Sequence, residues 1–598
     1  MCRNGELWLG PGRGRPTVAA MITRFQIRNG GRVILGLAAL LGGAAASAPA
    51  AGVVESAITE FSADRRAVAA AYAVPWAEAA LDREAALLTD WQGRVESVNY
   101  GALAPAERVD WHLLRSHLAG EQETLTLERT RLGGMEPLLA FRRPLQELLG
   151  RQELRQEIDP QSAAGVLAQA LQEVKALHKR LEEGRAKDAP AEALKPGPVL
   201  ASRTAGAMDQ LRDAMGEWFK FYHGFQPDFS WWVRQPHEAL AKGLEETAGY
   251  LRKEIAGLKG EPDDPLIGDP IGSTALAARI TREMIPYSAE ELLALAEREF
   301  AWCDGELQKA AAAMGCQDGK QALAKIKEGH ALPGAQAASA VAAGLQAIRF
   351  VEEKELVTIP PLAGETWRLG MLGVEQQKSL PYAVYSDPRM LVAYAHESMS
   401  HEEKLMSMRG NNAAFLHIVT PHELIPGHHL QGFMAKRYAP HRQLFRTPFF
   451  VEGWALHWEM LLWDLGYVAS PEEKVGALFW RMHRCARIMV SLKFHLGAMT
   501  PAEMVDFLAD RVGHERAGAT AEVRRYIGST YGPLYQAAYM LGGLQLRSLY
   551  QELTGPGKLT PRAFHDAVLQ QKAIPMEMIR AALTGAELPR DWKPSWRF

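Results

Sequence analysis

Apolar positions recur at helical spacing along nearly the whole chain. In DPQSAAGVLAQALQEVKALHKRLEEG, residues 159–184, the apolar stripe runs without a break and stops at Gly184. YSAEELLALAEREFAWCDGELQKAAAAMG opens on Ser288 and Glu291, the spacing of a capping box, and closes at Gly315. SPEEKVGALFWRMHRCARIMV opens on Ser470, with Pro471 at the first helical position and Glu473 behind it, and TPAEMVDFLADRVG repeats the device with Thr500, Pro501 and Glu503. Alternating runs are lacking, and YAVYSDP, residues 382–388, predicts at most one short strand. There is no internal repeat. The expected fold is mainly α.

Two stretches rich in Pro, Gly and Asp, 187–199 and 259–274, read as long loops. The second is expected to separate an N-terminal helical lobe, 51–270, from a lobe that carries the chemistry, 271–598, with a substrate channel or cleft between them. Residues 1–50 do not look like fold. Arg24, Arg28 and Arg32 precede the short apolar run VILGLAALLGGAAA, and ASAPA offers small-residue cleavage sites, which together predict a signal peptide starting at Met21 behind an upstream extension, 1–20. The run is too short for a confident membrane span, and no Cys follows it to accept a lipid.

Composition narrows the picture. With 598 residues, 47% hydrophobic and 23% charged, this is an ordinary globular chain of one large domain or a few lobes. Removing the leader leaves 61 basic against 69 acidic residues, so nucleic acid is not an expected partner. Cys2, Cys303, Cys316 and Cys485 include no C-x-x-C pair, which argues against a thiolate-held zinc. Export permits a Cys303–Cys316 disulfide; two ordinary thiols are the alternative.

The candidate chemistry lies in TPHELIPGHHLQ, residues 420–431. It starts like a zinc-protease helix with His422 and Glu423, but Pro426 stands where the second His of H-E-x-x-H would fall. His428 is six residues from His422, about 240° around an ideal helix, so the two can share an ion only if the helix breaks between them. Pro426 and Gly427 are the residues that could break it. His429 is nearly in phase with His422 but about 10 Å along the axis, so His428 is preferred as ligand and His429 as a group behind it or facing substrate. FFVEGWALHWEM supplies Glu452 as third ligand, and Glu459, seven residues on, could orient a ligand. Glu423 is the natural general base for the attacking water.

HELIPGHHLQ, FVEGWALHWE and AEVRRYIGSTYGPLYQAAYMLG resemble a bacterial family called domain of unknown function 885, whose members resemble the glutamate-ligand zinc peptidases, the gluzincins. The resemblance is strongest from about 380 to 590. It implies a helical fold around a channel, one zinc ion, and hydrolysis of peptide bonds. His422, Glu423, Pro426, Gly427, His428, His429 and then Glu452, Gly453, Trp454 and Ala455 match its motifs. RIMVSLKFHLG matches a further block at Arg487 and His495, with Ser491 where members carry Asp. Tyr539 and His495 are the resulting candidates for the oxyanion donor. Arg487 and Arg525 are candidates for a substrate carboxylate or for ion pairs inside the fold.

The expectation is an exported, periplasmic or secreted zinc metallopeptidase acting on short peptides. Rival readings are a non-haem iron site of two His and one carboxylate, a hydrolase of non-peptide amides, and a non-catalytic metal-binding protein. Two other stretches carry blander expectations. YAHESMSHEEKL, 394–405, reads as a charged helix face, and Trp231 and Trp232 as core or rim.

Overall fold

The helix starts show why the chain folds as its pattern predicts. Ser288 Oγ accepts from the Glu291 N–H at 3.2 Å while Glu291 Oε2 accepts from the Ser288 N–H at 2.8 Å. Both exposed donors are thus satisfied as the Ala289–Ala313 helix begins. The same reciprocal pair opens Pro471–His495, through Ser470 and Glu473, and Pro501–Phe507, through Thr500 and Glu503. Asp159 caps Pro160–Gly184 by accepting from the Ser162 N–H. The charged 394–405 stretch is helical only from His401, where Ser400 and Glu403 form a further capping box.

The computed structural model describes residues 52–598 apart from Pro262, Lys378, Ser379, Pro381, Ser529 and Thr530. The expected signal peptide lies outside the described residues. Residues 52–598 form one unit, mainly α, and none of its described helices is long and apolar enough to cross a membrane. The strand expected near 382–388 is Ala383–Ser386. It pairs antiparallel with Arg389–Val392, which in turn pairs parallel with Arg368–Met371. This three-stranded sheet is small, with the last strand in the centre.

Buried apolar side chains gather in three cores. One belongs to residues 135–256. A second joins the helices between Val54 and Leu125 to residues between Phe445 and Leu461 and between Leu546 and Leu588. The third surrounds the Pro471–His495 helix. Of the two alternatives for Cys303 and Cys316 the structure has the ordinary thiols: Cys303 faces inward from its helix onto Cys485, while Cys316 lies past the helix end. Trp231 and Trp232, on the Pro227–Tyr250 helix, are both exposed.

Candidate metal centre

His422 sits one residue before the end of the Ala413–Glu423 helix. Leu424 then leaves helical dihedrals, the Ile425–Pro426 peptide is cis, and a new helix begins at His428. This is the break that a six-residue spacing required. Gly427 makes it possible, because a Cβ there would lie 1.8 Å from the His422 carbonyl oxygen. Its N–H donates to Pro421 O at 2.9 Å, and Trp454 Nε1 donates to Pro426 O at 2.8 Å from the neighbouring helix. So pinned, the turn brings the His422 and His428 rings to 4.8 Å, nearly perpendicular.

Glu452 comes from the Pro448–Asp464 helix, which crosses Tyr535–Leu553 at a pair of glycines. A Cβ on Gly453 would meet the Gly542 carbonyl carbon at 2.5 Å, and one on Gly542 would meet Phe449 O at 1.9 Å. The close crossing sets Glu452 beside Tyr535, whose hydroxyl donates to Glu452 Oε1 at 2.5 Å. The other oxygen, Oε2, is buried and accepts no hydrogen bond; His428 Nε2 lies 3.3 Å and His422 Nε2 3.9 Å from it.

The fit to a metal ion is therefore good. One ligand atom from each of His422, His428 and Glu452 lies within 4.8 Å of the other two. His422 Nδ1 donates to Glu459 Oε1 at 2.6 Å, which leaves Nε2 as the free lone pair, the arrangement that orients metal-binding imidazoles. Glu459 in turn faces Arg484 at 3.5 Å. Burial works to raise the Glu459 carboxyl, but Arg484 and His422 outweigh it and hold it below the ordinary range. Burial likewise works to raise Glu452, and His428, His422 and Tyr535 hold it low. For His428 burial opposes the charged form, and Glu452 and Glu423 reverse the balance.

A cavity of about 430 Å³ opens over the trio, lined among the described residues by ones between Leu380 and Tyr539. That size is within the range of small-ligand sites. Glu423 lines it, as does Tyr539, whose ring lies parallel to His422 with centroids 6.4 Å apart. Arg487 and Arg525 also line it, and both are ion-paired to Glu522.

His429 lies behind the trio, with its ring nitrogens on Ala363 O at 3.0 Å and Tyr385 OH at 3.1 Å. It braces Tyr385, which does line the cavity. His495 does not line it: it ends the Pro471–His495 helix, two turns or about 12 Å beyond Arg487, and packs on Phe494. Burial pushes its imidazole down to about 4, with Asp269 pulling the other way. Sequence reasoning missed Tyr535, Arg484 and Tyr385. Only Tyr535 carried a signal, four residues before Tyr539 and so on the same helical face.

Fold and site together define a mainly helical protein with a buried His-His-Glu group that could hold a metal ion. The chain belongs to the bacterial family of proteins of unknown function DUF885, whose pattern it matches over residues 67–583. Two solved structures are similar. One is a candidate lipoprotein of unknown function from Shewanella oneidensis, 18% identical, covering 89% of this chain and 100% of its own, with a TM-score of 0.63. The other is a candidate lipoprotein from Colwellia psychrerythraea, 16% identical, covering 89% of this chain and 98% of its own, with a TM-score of 0.56. At these identities the likeness is one of fold. No curated protein matches the chain.

Proposed function

We propose that the protein is an exported, metal-dependent hydrolase of short peptides, with His422, His428 and Glu452 holding one zinc ion. The observation that carries this reading is the convergence of His422 Nε2, His428 Nε2 and Glu452 Oε2 in a cavity that Glu423 also lines. Two imidazoles and a glutamate are a donor set of catalytic zinc, and a bound zinc would polarise the scissile carbonyl and acidify water. The residues of the chain do the rest. Glu423 takes a proton from water as its oxygen attacks the carbonyl carbon. It then gives that proton to the leaving amine as the C–N bond breaks, so that one water yields a carboxylate and an amine. Tyr539 donates to the oxygen on which charge develops. Glu459 keeps His422 in the required tautomer, and Tyr535 holds Glu452 in place.

The likeness to gluzincins, carried by HELIPGHHLQ and FVEGWALHWE, supports peptide bonds as the target. The two similar structures, both candidate lipoproteins, agree with export.

The test is a short-peptide library incubated with purified residues 51–598, with Glu423→Gln protein of equal metal content alongside. Cleavage by the wild type alone, read by mass spectrometry, is expected. No cleavage by zinc-loaded wild type sinks the peptidase reading.

A further inference from the structure

One wall of the cavity is built of three arginines, Arg484 and Arg487 from the Pro471–His495 helix and Arg525 from Arg516–Ile527. Their counter-charges are already committed. A single oxygen, Glu522 Oε2, accepts from Arg487 Nη2 at 3.0 Å, Arg525 Nη2 at 2.6 Å and Tyr526 OH at 2.6 Å. Arg484 shares Glu459 Oε1 with His422. Three guanidinium groups thus face two carboxylates, both oversubscribed. Arg484 Nε, Arg487 Nη1 and Arg525 Nε are buried without an acceptor. Unpaired buried donors of this kind are costly and fit an anion that supplies the missing oxygens.

The wall lies close to the metal group. Arg487 Cζ is 4.3 Å and Arg484 Cζ 4.7 Å from the centre of the Tyr539 ring, and the His422 ring lies 6.4 Å from the same centre. Those steps end to end span no more than about three extended residues.

We propose that this wall is a carboxylate-binding subsite, so that the substrate is a short peptide whose free C-terminal carboxylate lies within about three residues of the bond that is cut. This rests on the hydrolase reading above and refines it: the protein would trim peptide ends and pass over internal bonds of long chains. A planar carboxylate would bridge two guanidinium forks above the Tyr539 ring, a geometry that a lysine wall could not offer.

The experiment measures binding apart from cleavage. Zinc-loaded Glu423→Gln protein is titrated calorimetrically with N-acetylated di- and tripeptides, each as the free acid and as the C-terminal amide. The acids are expected to bind about 30-fold or more tightly, by a margin that shrinks in Arg525→Gln and is partly kept in Arg525→Lys. Melting curves of both variants show whether they are folded. Acid and amide binding within threefold of each other, or neither binding, overturns the subsite. The two readings separate cleanly. If wild type cuts acids and amides equally, hydrolysis stands and the subsite falls. If acids bind selectively but nothing is cut, the subsite stands and the peptidase reading falls.

Discussion

The crossing of Pro448–Asp464 over Tyr535–Leu553 is the most demanding contact behind the site, and one methyl group tests it. In Gly542→Ala the new Cβ would lie 1.9 Å from Phe449 O and 3.0 Å from Gly453 Cα. A carbon ordinarily approaches a carbonyl oxygen to about 3.3–3.6 Å, so the helices must part by more than about 1 Å. Both neighbours are backbone, so no side chain can swing aside. Overpacking of this kind costs about 1–3 kcal/mol, and rigid backbone puts this case at the upper end. In a chain of this size that is only about 1 °C of melting temperature per kcal/mol, so metal affinity is the sharper readout.

Glu452 precedes Gly453, and its Oε1 is held by Tyr535 on the other helix. Parting the helices pulls the carboxylate from the imidazoles or breaks that bond. Chelator competition should show zinc affinity reduced at least tenfold. Gly165→Ala is the control. It sits exposed within Pro160–Gly184 with no atom near its would-be Cβ, and the same substitution there should stabilise by about 0.5–1 kcal/mol. Unchanged zinc affinity in Gly542→Ala, or equal destabilisation of the two variants, would refute the reasoning.

Two further outcomes are expected. Glu459→Gln removes the carboxylate on His422 Nδ1 and should lower zinc affinity about 10–100-fold in the same competition assay; an unchanged affinity removes Glu459 from the site. Burial pushes His565 down to about 4 and His514 down to about 3, so the fold holds them neutral while the unfolded chain protonates near 6.5. The stability they contribute is complete above pH 6.5 and falls as pH drops towards 4, by about 2 kcal/mol each at pH 5. The urea midpoint of chelated protein should therefore fall steeply from pH 7 to pH 5, and a flat profile would contradict it.

What the sequence disclosed and what it withheld divide by distance along the chain. Capping boxes at Ser288, Ser470 and Thr500 are three-residue devices, so those helix starts were legible. The break between His422 and His428 was legible because helix geometry lets the two share an ion only if the helix breaks, and Pro426 with Gly427 supplied the means. Tyr535 on Glu452 spans 83 residues; its place on the Tyr539 face of the helix marks the residue but not that partner. A motif match fixes positions along a helix but not which of them reach a cavity, and of the matched pair Arg487 lines it and His495, two turns on, does not. Trp231 and Trp232 misled because aromatic character predicts burial only when another element arrives to cover it.

The E-G-W-A motif gains a physical reading once the pieces are assembled. Glu452 offers the carboxylate, Gly453 admits the crossing helix, and Trp454 ties down the turn that carries His428. Three consecutive residues thus set the third ligand against both the others. The hydrogen bonds then suit the cation that the proposed function places there. With Nδ1 donating to Glu459, a neutral His422 turns the lone pair of Nε2 towards Glu452 Oε2 at 3.9 Å. Two acceptors facing each other in a buried site repel unless something positive lies between them. A proton is the other candidate, since a charged His428 would donate from Nε2 to the same oxygen at 3.3 Å. A divalent cation would use all three lone pairs at once, as the proposed function requires, so a metal-loaded and a chelated sample should differ in the protonation of His428.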